Sequence, residues 1–156
     1  YTTLFRSYGD FSILPLTQTL ESIEDEFQHT TFLKAVLDET IVGSVRALLK
    51  NGTCHIGRLI VHPEVQNQGI GSRLMNAIEL QFSLADRYEL FTGHRSERNL
   101  YLYKKLGYTI FNTLPVNERL NLIYLEKKNV SLRSPEVETD DKKKPLSNLG
   151  GERGKK

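Results

Sequence analysis

The chain has 156 residues, enough for one domain with a real hydrophobic core and too few for two ordinary ones. Its formal charge of +2 comes from residues 129–156, where seven Lys/Arg stand against five Asp/Glu; residues 1–128 carry fourteen of each sign, which excludes the basic footprint of a nucleic-acid or membrane-surface binder. There is no run of 18 apolar residues, and the single cysteine, Cys54, has no internal disulfide partner, so a soluble cytoplasmic protein is expected.

Tyr1 to Pro15 shows no sustained hydrophobic period and is read as an irregular N-terminal piece over residues 1–16. Leu20 to Phe27 reads as the first helix. Thr31–Leu37 and Ile41–Leu49 are predicted strands joined by a short hairpin through Asp38-Glu39-Thr40. Asn51-Gly52 then supplies a type I′ turn into a strand from Cys54 to Val61, which is closed by His62-Pro63. After Gly71 the spacing of Leu74, Met75, Ile78 and Phe82 predicts an amphipathic helix. A strand at 88–92 follows this crossover helix and is therefore expected to run parallel to 55–61. Tyr108–Phe111 and Leu120–Leu125 complete the strands. Residues 128–156 are polar, charged and rich in Pro, Gly and Ser, a composition that cannot offset its own ordering entropy; a disordered tail is expected.

The segment Gln66-Asn67-Gln68-Gly69-Ile70-Gly71 stands between an apolar strand and a helix. Two glycines there permit positive φ and remove β-carbons, so that backbone N–H groups can converge on an anion beside the positive end of the helix dipole. Two other phosphate motifs are excluded. A P-loop requires Gly-Lys-Ser/Thr, whereas Gly71 is followed by Ser72-Arg73; a dinucleotide fingerprint requires a third glycine where Leu74 stands.

About thirty residues on comes Ser96-Glu97-Arg98-Asn99-Leu100-Tyr101-Leu102-Tyr103-Lys104-Lys105-Leu106-Gly107-Tyr108. The two motifs in this order, a Gln/Arg-x-x-Gly-x-Gly/Ala loop after a strand end and a Leu-Tyr-x-x-Leu-Gly-Tyr/Phe helix end, resemble the GNAT (GCN5-related N-acetyltransferase) family over roughly residues 17–126. The resemblance implies an α/β fold with a mixed, mostly antiparallel central sheet flanked by helices, here without the family's first strand and helix, and a GNAT domain over 17–127. It further implies that strands 55–61 and 88–92 splay apart and that acetyl-CoA, the co-substrate, enters the gap. Backbone groups of Leu59, Ile60 and Val61 would hold the pantetheine arm. Amides of Gln66, Asn67, Gln68, Gly69, Ile70, Gly71 and Ser72 would hold the pyrophosphate, with Arg73 adding charge.

The implied activity is N-acetyl transfer to a primary amine. Tyr103 matches the family tyrosine near the sulfur and is expected to act as general acid. The family's coenzyme-binding asparagine falls at Ser96, an N-cap position; Asn99, one turn before Tyr103, is placed ahead of it as the pantetheine contact. His55 is the expected base, since an imidazole can accept a proton near neutral pH, with His94 and Glu89 as further candidates. The histidines and Cys54 lack metal-ligand spacing, and no metal is expected. The acceptor, read as a small-molecule amine, would approach a wall built from Tyr8 to Pro15, with Asp10 and Glu21 attracting a cation. Nucleic-acid and membrane partners are not expected. The alternative from another class is a non-catalytic acyl-CoA-binding module.

Overall fold

Two tight turns shape the first half of the sheet in the computed structural model, which describes residues 18–130. Asp38 and Glu39 both take left-handed backbone, with φ of 46° and 65°, and join strand β1 (Thr31–Leu37) to β2 (Thr40–Lys50). Asn51 (50°) and Gly52 (76°) do the same between β2 and β3 (Thr53–Val61). Left-handed φ at both central residues matches the twist of the flanking strands, which is why such pairs make two-residue hairpins. At Gly52 a β-carbon would also collide with the Asp86 carboxylate, 2.1 Å away.

Helix α1 (Leu20–His29) precedes β1; helix α2 (Ile70–Gln81) links β3 to β4 (Arg87–Gly93); helix α3 (Glu97–Lys105) then leads to β5 (Thr109–Asn117) and β6 (Leu120–Lys128). The six strands lie in the order β1-β2-β3-β4-β6-β5, with β3 and β4 parallel and every other neighbouring pair antiparallel. The mixed, mostly antiparallel sheet is as expected. Two strands are longer than their sequence suggests. β5 runs to Asn117 although all nine of its residues are exposed, and it contains Pro115. Its existence comes from pairing with β6, and an edge strand tolerates a residue that cannot donate to a ladder. Tyr108 precedes β5 and is buried instead in the core.

β6 continues to Lys128, and Asn129 donates its side-chain amide to the carbonyls of Ser83 (2.7 Å) and Ala85 (2.9 Å). The folded unit therefore extends past residue 127. The N-terminal piece 1–16 lies outside the described residues, as does the expected tail beyond residue 130.

The core lies between the sheet and α2, where Ile70, Leu74, Met75 and Ile78 are buried against Val45, Ala47, Cys54 and Leu90. Burying each of the larger side chains contributes about 1.5–3 kcal/mol. Its polar centre is Glu79, near the end of α2. The carboxylate accepts from the Tyr108 hydroxyl (2.8 Å) and from Lys127 Nζ (2.6 Å). The Tyr88 hydroxyl donates to the carbonyls of Glu79 (3.0 Å) and Phe82 (3.2 Å). Burial, reinforced by the Glu79 charge, raises the Tyr108 and Tyr88 phenols above their ordinary value and pushes the Cys54 thiol up to about 12.

The opposite face carries Arg46, which alternates along β2 with the core residues Val45 and Ala47. No residue of α1 is buried, so this helix is held by a few specific contacts. Phe27 packs on Phe32 with ring centroids 4.9 Å apart, and Arg46 bridges Glu26 (2.9 Å) and the Phe32 ring (4.6 Å). Burial opposes ionisation of Glu26, but hydrogen bonds from Gln18 and Arg46, with the charges of Arg46 and Arg58, outweigh it and hold the carboxyl below its ordinary value of 4.5. Among the described residues no helix is long and apolar enough to cross a membrane.

Two stability effects are expected. Glu79→Ala leaves the buried Tyr108 hydroxyl without its acceptor and costs about 1–3 kcal/mol in urea denaturation. A depressed carboxyl value means that the Glu26 ion pair adds stability above about pH 4.5 and loses it as pH falls through the folded value. Glu26→Gln is therefore expected to lower stability by about 0.5–1 kcal/mol at pH 7, a partly screened pair, with the difference from wild type closing below pH 4.5.

Candidate active site

The parallel pairing of β3 with β4 is brief: Thr53 with Arg87, Cys54 with Tyr88 and His55 with Glu89. Beyond these positions the strands part. A bulge on β3 accompanies the separation. The β2–β3 register shifts between Ser44 and Arg46, so that Arg58 and Leu59 stand opposite Val45, and Arg58 takes a left-handed φ of 54°. A bulge bends its strand and increases local twist, which turns the end of β3 away from β4. The gap opens into a cavity of about 540 Å³, lined by Gly57 and Leu59 from β3, Phe91 and Thr92 from β4, and Asn99 and Tyr103 from α3.

One wall is backbone. Ile60 and Val61 are in register with Ser44 and Gly43 of β2, and no β4 residue pairs with Leu59, Ile60 or Val61. The expected set of open backbone groups needs two corrections. The His62 N–H donates to the Val42 carbonyl at 2.8 Å, so strand alternation turns the N–H and carbonyl of Ile60 to Ser44 of β2 and not to the gap. The Val61 carbonyl is occupied by the Gln66 side chain, whose Nε2 donates to it at 2.9 Å.

At the mouth of the gap, a short 3₁₀ turn (Pro63–Val65) leads through Gln66, Asn67 and Gln68 to Gly69, the N-cap of α2. The first bond of the helix runs from the Arg73 N–H to the Gly69 carbonyl at 3.0 Å. The N–H groups of Ile70, Gly71 and Ser72, in the first turn, thus lie at the positive end of the helix dipole, the position at which anions are held. Left-handed backbone falls on Asn67 (63°) and Gly69 (78°), not on both glycines as expected. Gly71 takes an ordinary helical φ, and a β-carbon there would meet Leu102 Cδ2 at 3.4 Å and Leu59 Cδ2 at 3.9 Å, ordinary contact distances, so the first turn of α2 stands beside α3 and β3 without needing a glycine for space. Ile70 places its side chain in the core. Arg73 folds back toward the loop, its Nη2 3.5 Å from the Gln68 carbonyl.

Tyr103 is 5% exposed, its ring 6.1 Å from that of Tyr108, and it opens on the cavity together with Asn99. Asn99 Nδ2 lies 3.4 Å from Thr92 Oγ1. Ser96 occupies the N-cap of α3 without capping it; its Oγ is buried and is the one buried side-chain oxygen among the described residues with no hydrogen-bond partner. His55 and Glu89 line the same cavity, His55 Nδ1 being 3.9 Å from Glu89 Oε1. Glu89 also accepts from Arg87 (2.7 Å). His94 is placed differently, with its Nδ1 accepting from the Asn121 N–H at 3.0 Å and tying the end of β4 to β6. Glu21 lies exposed on α1, and Asp10 with the rest of the 8–15 wall falls outside the described residues. Among the described residues there is no group of three or more His, Cys, Asp or Glu placed to hold a metal ion.

Sequence reading missed two contributors. Glu26 and Arg46 line the cavity as an ion pair between α1 and β2, and Arg98 reaches from α3 to the loop, donating to Gln66 Oε1 (2.6 Å) and Asn67 Oδ1 (2.9 Å). Both contacts join residues far apart in the chain, so no local pattern marks them.

Residues 28–110 match the family model described as an acetyltransferase (GNAT) domain. The fold is similar to that of an IAA acetyltransferase from Bacillus cereus ATCC 14579 (22% identity over 74% of this chain and 88% of that one, TM-score 0.62). It is likewise similar to a GNAT family acetyltransferase from Elizabethkingia anophelis solved with acetyl-CoA bound (23%, 74% and 86%, TM-score 0.63). A third similar structure is the ribosomal-protein-S18-alanine N-acetyltransferase from Escherichia coli (12%, 77% and 82%, TM-score 0.66). No curated protein matches the chain. The matched domain spans more than half of the sequence and contains both the splayed strands and the amide-bearing helix start, and on that ground the chain belongs to the GNAT acetyltransferase family.

Proposed function

We propose that this chain transfers the acetyl group of acetyl-CoA directly to a primary amine. The observation that carries the reading is that the β3 edge left without a β4 partner runs from the cavity lined by Leu59 and the buried Tyr103 to the amide-rich start of α2, where Gly71 lies beside Leu59 and Val61. The acetyl-CoA bound in the similar Elizabethkingia anophelis structure supports the choice of co-substrate. The first-turn amides from Gly69 to Ser72 take the pyrophosphate, helped by Arg73. Leu59 offers backbone groups and Val61 its N–H to the amides of the pantetheine arm, and Asn99 presents its side-chain amide from the opposite wall.

In the transfer, the neutral amine attacks the thioester carbonyl, the C–N bond forms, and the C–S bond breaks. Tyr103 supplies a proton to the departing sulfur, and solvent returns one to the phenolate. A phenol is a suitable donor because it stays protonated at neutral pH yet can serve a thiolate of ordinary pKa about 8.5. His55, whose Nδ1 stands 3.9 Å from Glu89 Oε1, takes the proton lost by the amine. Glu26 and Glu89 in the cavity wall suit a cationic amine arriving from solvent. The acceptor is a small molecule in this reading.

Tyr103→Phe is expected to lower kcat about 100-fold while leaving the acetyl-CoA dissociation constant within about twofold. Thiol release in an amine-acceptor screen measures this without background from the protein, since the Cys54 thiol is fully buried and protonated. Equal turnover would remove Tyr103 from the mechanism. Calorimetric titration of acetyl-CoA tests the cradle itself. Gly71→Glu is expected to abolish binding, with thermal unfolding recorded alongside because Leu102 lies against this position. Undiminished binding by the folded variant would rule the loop out.

A further inference from the structure

The start of α2 is held from the side. Arg98, in the first turn of α3, donates one nitrogen of its guanidinium to Gln66 Oε1 at 2.6 Å and the other to Asn67 Oδ1 at 2.9 Å. Gln66 passes the restraint on, because its own Nε2 donates to the Val61 carbonyl at 2.9 Å. A chain of side-chain hydrogen bonds thus runs from α3 through the loop to the end of β3. It contains Asn67, whose left-handed φ of 63° is a conformation that asparagine adopts at some cost. The loop is otherwise exposed at Asn67, Gln68 and Gly69, with little packing to fix its backbone. A planar guanidinium grips two oxygens in a fixed geometry, which an ammonium on a flexible stem cannot do.

We propose that Arg98 is a positioning residue for the coenzyme loop, acting through Gln66 and Asn67 to hold the amides from Gly69 to Ser72 aligned before the anion arrives. The charge it brings beside the loop adds to the attraction for a diphosphate, but the two-point grip is the source of its effect. A loop already ordered loses less conformational freedom on binding, so the benefit falls on coenzyme affinity and not on the chemical step. The coenzyme part of this inference rests on the acetyl-CoA reading above; the grip on the loop does not.

The test uses the full chain with Arg98→Ala, Arg98→Lys and Asn67→Gly. In the free protein, hydrogen exchange at the Arg73 amide, whose bond to the Gly69 carbonyl is the first of α2, is expected to quicken about tenfold in Arg98→Ala with the thermal unfolding midpoint unchanged. With acetyl-CoA, its KM and dissociation constant rise about tenfold while kcat and the acceptor KM stay within twofold. Arg98→Lys keeps the charge and loses the fork, so it recovers less than half of the affinity deficit on a logarithmic scale. Asn67→Gly removes one acceptor and makes the left-handed backbone inexpensive; on that background Arg98→Ala weakens binding less than threefold. Unchanged exchange in Arg98→Ala overturns the grip. Full recovery by Arg98→Lys overturns it in favour of simple charge. Absence of acetyl-CoA binding by the wild-type chain overturns the coenzyme reading itself, whatever the exchange data show.

Discussion

The structure depends on where the pairing of β3 with β4 stops. Parallel strands normally continue side by side and bury their backbone groups in a shared ladder. Here the ladder ends at His55 and Glu89, and the bulge at Arg58 turns the remainder of β3 aside. Everything chemical in the molecule follows from that interruption. It opens a cavity inside a sheet, with strands as walls and a β3 edge that no β4 residue pairs.

A sheet that opens at one end must be held shut at the other, and the distribution of strong contacts shows how. Cys54 and Tyr88 lie in register in the closed part, both buried, and the Tyr88 hydroxyl is bound to two carbonyls at the end of α2. Glu79 joins α2 to Tyr108 and to Lys127 of β6, fastening the last turns of α2 to the far side of the sheet. This division explains why a half-buried carboxylate with paired donors stands at the closed end: it joins α2 to Tyr108 and to β6 through directional bonds that apolar packing alone would not orient.

Much of this was legible in the sequence because the signals are local. Asn51-Gly52 and Asp38-Glu39 lie between runs of strand-forming residues, and both pairs take the left-handed backbone that such hairpins require. The amphipathic spacing of Leu74, Met75 and Ile78 located α2, and the loop with its glycines located the start of that helix. The rest was not legible, for a common reason. The insertion of β6 between β4 and β5, the length of β5 despite Pro115 and its exposed side chains, the Glu26–Arg46 pair and the reach of Arg98 are all set by what another part of the chain presents. The glycines show the same limit at finer scale. The motif offers Gly69 and Gly71 alike, but only the structure shows that Gly69 takes positive φ and Gly71 does not.

Helix α3 then acquires a role beyond packing. It is nine residues long and carries the guanidinium that bonds the loop, a leucine beside Gly71, and the tyrosine that opens on the cavity. Arg98 and Tyr103 are five residues apart, about 7.5 Å along a helix axis. A single helix thus carries both the residue that meets the loop and the buried phenol, and helix geometry fixes their separation along the axis. The separation of the walls is set by β3 and β4. The loop is tied to both supports: Arg98 holds it from α3, and the Gln66 side chain holds it to the Val61 carbonyl at the end of β3. Because the two supports meet at Gln66, the parting of the strands and the position of α3 are set together.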